Sequence, residues 1–126
     1  MFNATVDEFL NELIEIFPEN NAIKVQYELF QTLIKLNAKR PVTTFMTKII
    51  PHLEKIALRD DCIFTADDAP EIISRVRLEK EVLAVLSKNT KDAIWKYIVS
   101  FLSIGINIIE MPEETRPIIN YILKQK

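Results

Sequence analysis

The residues of this chain that could do chemistry are few and scattered. There is one histidine, His52, and one cysteine, Cys62. A thiol activated by an imidazole is a familiar nucleophile and base. A hydrolase built on this pair would need the ring within hydrogen-bond reach of the sulfur. Nothing in the spacing demands that, and plainer expectations stand beside it. His52, just after Pro51, reads as a surface or half-buried helix residue, and Cys62 reads as an ordinary buried thiol. Metal sites usually draw on two or more His or Cys at ligand spacing, and His52 has no such neighbour in sequence. Four carboxylates, Asp60, Asp61, Asp67 and Asp68, flank Cys62-Ile63-Phe64. They lack the alternating oxygens, central glycine and closing glutamate of a calcium loop. A solvated loop is expected, with Asp67 or Asp68 helping to start the next helix; whether the four bind a cation stays open. No catalytic residue, cofactor or metal ligand is assigned, and the chain reads as non-enzymatic.

Composition narrows the classes further. The chain has 126 residues, 48% hydrophobic and 27% charged, which suits one globular domain over 1–126 with a real core. The net charge of −2 gives no bulk reason to bind nucleic acid or an anionic membrane. Lys35, Lys39 and Arg40 form one small basic cluster, and Arg75, Arg77 and Lys80 another beside glutamates. Neither makes the concentrated basic face of a nucleic-acid module. There is a single glycine. Phosphate-cradling loops need several at fixed spacing, and tight hairpins lean on them too, so nucleotide-binding α/β folds and all-β folds are both disfavoured. The lone cysteine fits a reducing compartment. The opening MFNATVDEFLNEL is acidic where a signal peptide is basic, so Asn3-Ala4-Thr5 is expected to stay unglycosylated.

The elements follow from apolar spacing. The stretch 89–109, NTKDAIWKYIVSFLSIGINII, holds the only Trp, Trp95, and the only Gly, Gly105, and its last part is uncharged. The uncharged run, 97–109 between Lys96 and Glu110, is shorter than the ~20 apolar residues of a membrane span, so the stretch reads as a buried central helix, capped by Asn89 with Asp92 in its first turn. Before it, Val6, Phe9, Leu10, Leu13, Ile14 and Phe17 form the face of a first helix. Thr5 and Glu8 are its expected capping box, and Pro18 its end. Ile23, Tyr27, Phe30, Leu33 and Ile34, with Leu29 as a further member, mark a second helix over about 22–36. Pro41 opens a third, with Phe45, Met46, Ile49, Ile50, Leu53 and Ile56 inward and a kink or break at Pro51. Residues 59–69 read as loop, with Ile63 and Phe64 tucked in as a plug. Pro70 starts a fourth helix with Ile72, Ile73, Val76, Leu83 and Leu86 inward, Arg77 facing Glu81, and a break expected near Leu78. A last helix over 113–124 turns Ile118, Ile119, Ile122 and Leu123 inward. The result is an all-α bundle of five or six helices around the 89–109 helix. Large aromatic side chains are abundant. Any stripe left uncovered would mark a partner surface, with Trp95, Tyr97 and Phe101 the candidates and the two end helices the expected donors.

Two stretches resemble known families. Lys88-Asn89-Thr90-Lys91-Asp92-Ala93-Ile94-Trp95-Lys96-Tyr97-Ile98, together with Phe9-Leu10-Asn11-Glu12-Leu13 through Phe17-Pro18-Glu19, resembles uncharacterised small helical proteins of nucleocytoplasmic large DNA viruses. Ile98 stands where those proteins usually have leucine. The resemblance implies a virus-encoded helical protein of the host cytoplasm or the virion; the core pattern, with no constellation for chemistry, points to an interaction protein, either a scaffold or a particle component. Its partner would be a viral or host protein, or a second copy of itself. Trp95 through Gly105 also looks like one homology stretch of the B-cell-lymphoma-type apoptosis regulators, with Trp95, Ile98, Val99, Phe101 and Gly105 at matching spacing. That likeness implies a hydrophobic groove that takes an amphipathic helix. Lys96-Tyr97 stands where that family has Gly-Arg, so the arginine that would meet a ligand aspartate is missing.

Overall fold

The computed structural model describes residues 1–74 and 83–124. Among them are the helices α1 Phe2–Ile16, α2 Asn21–Leu36, α3 Arg40–Ile49, α4 Leu53–Ala57, α5 Glu71–Ser74, α6 Lys88–Gly105 and α7 Arg116–Lys124, and no strand occurs among the described residues. Single 3₁₀ turns stand at Ile50–His52, Asp61–Thr65 and Glu113–Thr115. The fold is all-α. The expectations for Arg75, Val76, Arg77, Leu78, Lys80 and Glu81 lie outside the described residues.

The core is one apolar cluster, and α6 runs through it. Helix α6 touches α1, α3 and α7, and its Ile94, Trp95, Ile98, Phe101 and Leu102 are buried. Phe101 is an aromatic hub. Its ring centroid lies 5.4 Å from Phe9, 5.6 Å from Phe2, 5.6 Å from Phe45 and 6.4 Å from Tyr97. Such tilted and edge-on pairs add to the burial itself. The helix is not covered all round, since Lys96 is exposed and Tyr97, Val99 and Ser100 are half-buried. It is also shorter than expected. After Gly105 the chain leaves it through a bonded turn, Ile108 N–H to Gly105 O at 3.0 Å and Ile109 N–H to Gly105 O at 2.8 Å.

Helix starts differ from expectation where burial or backbone geometry outweighs a cap. Helix α1 begins at Phe2, ahead of Thr5, and has no side-chain cap. Phe2 is 2% exposed and packs on Phe45 and Phe101, which draws the first turn into the helix. Thr5 Oγ1 instead donates back to Met1 O at 3.0 Å. Helix α6 is capped by Ser87, whose Oγ accepts from Thr90 N–H at 3.1 Å. Asn89 is already helical, so its side chain cannot take that role. Asn20 caps α2 by accepting from Ala22 N–H at 3.0 Å and Ile23 N–H at 3.3 Å. Pro51 breaks the third helix as its ring requires. The 3₁₀ turn Ile50–His52 carries the chain from α3 into α4, which keeps Leu53 and Ile56 on the core. The plug is present too: Ile63 is 0% and Phe64 1% exposed, and Phe64 meets Trp95 edge-on at 5.3 Å.

Candidate functional site

The sequence singled out His52 and Cys62, and the fold gives each a different surrounding from the one expected. His52 is buried, 2% exposed, because the Pro51 break turns it inward. Lys55 Nζ lies 3.4 Å from its Nδ1. Nε2 is 3.2 Å from Asp68 Oδ1, yet it makes no aligned hydrogen bond. Cys62 is exposed rather than buried. It sits at the start of the 3₁₀ turn, where Asp60 Oδ1 accepts from Cys62 N–H at 3.0 Å. That backbone donor, followed by the Cys62 thiol, holds the Asp60 carboxyl below its ordinary range. The close neighbours of the two ring nitrogens of His52 are thus Lys55 and Asp68, which is not the arrangement of a base poised over a thiol.

The carboxylates of this loop disperse. Asp60 turns back on its own 3₁₀ turn and Asp68 faces His52. Among the described residues no three His, Cys, Asp or Glu side chains converge as metal ligands.

The three aromatic candidates also separate. Trp95 is 4% and Phe101 0% exposed, so neither presents area to a partner. Tyr97 alone is half-buried at the α1–α6 seam, its ring 5.3 Å from Phe9. Its phenol is pushed well above the usual tyrosine range. Burial does most of this; Glu12 follows, favouring the protonated hydroxyl as acceptor and as charge, and then Glu8.

The uncovered apolar surface lies elsewhere. On α2, Val25 is 54%, Leu29 50% and Leu36 80% exposed. At 100° per residue these three positions fall within about 40° of one another. Their stripe points away from the buried Ile23, Gln26 and Phe30. Leu29 also borders a cavity of about 240 Å³ between α2, α3 and the start of α5, lined further by Leu33, Arg40, Lys48 and Glu71. Leu29 was expected inside; the end helices, expected to donate such a surface, expose Ile16 at 42% and Tyr121 at 51%. The i, i+4, i+11 spacing of 25, 29 and 36 carried the signal. What it lacked was any sign of which of two apolar faces on α2 the rest of the chain would cover.

A second opening lies between α4, α6 and α7, with a volume of about 300 Å³. Ile56, Val99 and Ile122 line it together with Arg59, Lys96 and Ser100. No helix among the described residues is long and apolar enough to cross a membrane. The chain matches no family model, no curated protein and no solved structure.

Proposed function

We propose that this chain is a non-enzymatic helical interaction protein that works by presenting a preformed surface to another protein. The observation that supports this most directly is the Val25, Leu29 and Leu36 stripe on α2, an apolar face in line and turned to solvent. The viral resemblance adds a setting: a protein of a large DNA virus acting in the host cytoplasm or the virion, with a viral or host protein, or a second copy of the chain, as its partner. The groove-binding alternative draws no support from α6, because its Trp95 and Phe101 are enclosed.

The test is capture from infected cells and from purified particles with the intact chain and with Leu29→Lys/Leu36→Lys. Both positions are exposed, so the double variant is expected to keep its fold. The expected result is a stable partner, or self-association by light scattering, that the double variant loses. A chain that stays monomeric and captures nothing from either source overturns the proposal.

A further inference from the structure

We propose that the opening between α4, α6 and α7 binds a compact anionic amphiphile, a single carboxylate carried on a short apolar chain. It involves other elements than the α2 stripe and stands apart from that reading. Its depth is apolar and its mouth is cationic. Ile56 and Ile122 are each 2% exposed and lie deep, and Val99 is half-buried. Arg59 and Lys96 are exposed at the edge, beside the half-buried Ser100. At about 300 Å³ the space stands at the lower end of small-molecule pockets.

Shape selects among occupants. On α6 the lining residues are 96, 99 and 100, which at 1.5 Å per residue cover about 6 Å. Helix α7 contributes Ile122 alone. A docked amphipathic helix sets anchors at i, i+4 and i+7, spread over about 10 Å. This is a cup for one chain end, not a trough for a helix.

Charge selects the head group. Lys96, exposed and in no ion pair among the described residues, adds a positive charge at the mouth one turn along from Asp92. Arg59 reaches Asp92 Oδ1 through Nη1 at 2.9 Å, which leaves further guanidinium donors available. The backbone also marks this residue. Arg59 has φ of 50°, the one positive φ at a non-glycine position among the described residues. It closes α4 with Asp60 N–H to Lys55 O at 2.8 Å and Arg59 N–H to Ile56 O at 3.1 Å. That is a Schellman end, where glycine is unstrained. An arginine held there against its backbone preference places a cation at the cup. Strained residues of this kind cluster at ligand sites.

The probe is sodium octanoate, titrated below its micellar range into the ¹⁵N-labelled full chain, with octan-1-ol and octylammonium in parallel. Amide shifts are expected to saturate and to cluster at Ala57, Arg59, Lys96, Val99 and Ser100. Octanoate should bind at least tenfold tighter than octylammonium, with octanol between. Lys96→Glu, at an exposed site, should weaken octanoate at least fivefold. Val99→Trp, which fills the cup, should abolish binding while the rest of the spectrum is kept; if that variant fails to fold, Lys96→Glu decides. Scattered or non-saturating shifts overturn the proposal. So does equal binding of the three probes, or an unchanged affinity in Lys96→Glu.

Discussion

A methyl group added at Gly105 would lie 2.3 Å from Met46 Sδ and 2.9 Å from its Cγ. Gly105 does not serve a turn here; its φ is not positive. It lets α3 approach α6 closely enough for Met46, itself 0% exposed, to lie across the helix. Alanine would favour the helical backbone by about 1 kcal/mol. It would also displace a fully enclosed side chain, at a typical cost of about 1–3 kcal/mol. Gly105→Ala should therefore lower stability by up to about 2 kcal/mol in urea unfolding. Trimming the neighbour tests the cause: Gly105→Ala with Met46→Ala should be at least about 0.5 kcal/mol less damaging than the two single losses added. Additive losses would place the strain elsewhere. Tyr97 makes a prediction of a different kind. Its folded phenol titrates above the ordinary value near 10, first through burial, then through Glu12 and Glu8. A group whose folded pKa is raised contributes stability that is present below the unfolded pKa and is lost as pH rises beyond it. Stability should thus hold up to about pH 10 and fall above it. Tyr97→Phe should flatten that fall relative to the parent. Thermal melts between pH 8 and 11 would show it, and identical slopes would mean that the phenol is not held protonated by the fold.

Helix ends show which features were legible in the chain and which were not. The apolar periods located the helices because burial follows 3.6-residue spacing, whatever the neighbours are. Pro18, Pro41 and Pro51 marked their boundaries because proline acts locally. The cap of α6 was not legible, since Ser87 and Asn89 are both good capping types two residues apart. Only the extended backbone of Ser87, φ −66° and ψ 158°, decides between them. Ser87→Ala should cost about 1 kcal/mol, and Asn89→Ala should fall within about 0.5 kcal/mol of the parent. Reversed magnitudes would put the helix start two residues later. At the end of α4, Arg59→Gly should be more stable than Arg59→Ala by about 1 kcal/mol. Both variants lose the Asp92 pair, and only the glycine accepts the left-handed backbone freely. The candidate site was the least legible part. His52 is buried by the turn at Pro51 and by meeting Lys55 and Asp68, and no local pattern encodes that meeting. The exposure of Leu29 likewise depends on which face of α2 its neighbours cover.

Across the molecule, the buried apolar residues from Phe2 in α1 to Ile122 in α7 belong to one contiguous cluster. A single cluster gives no element a private core on which to survive alone. The polar ties run the same way. Gln31 Nε2 donates to Asp7 Oδ1 at 2.6 Å between α2 and α1, and Asn3 Nδ2 donates to Ala38 O at 2.8 Å across the turn before α3. Unfolding should then be one cooperative transition. Trp95 makes this checkable, because its ring packs on Phe64 of the 61–65 turn and so reports the plug directly. Far-UV circular dichroism reports the helices. In urea the two signals should trace coincident curves with one midpoint. A shift of Trp95 emission that precedes the loss of helix would show the plug opening as its own unit. The surface between α4 and α6, where Arg59 bonds Asp92, would then be loosened ahead of the core. Coincidence would instead mean that the cup, the α2 stripe and the core stand or fall together, which is what a rigid presenting surface requires.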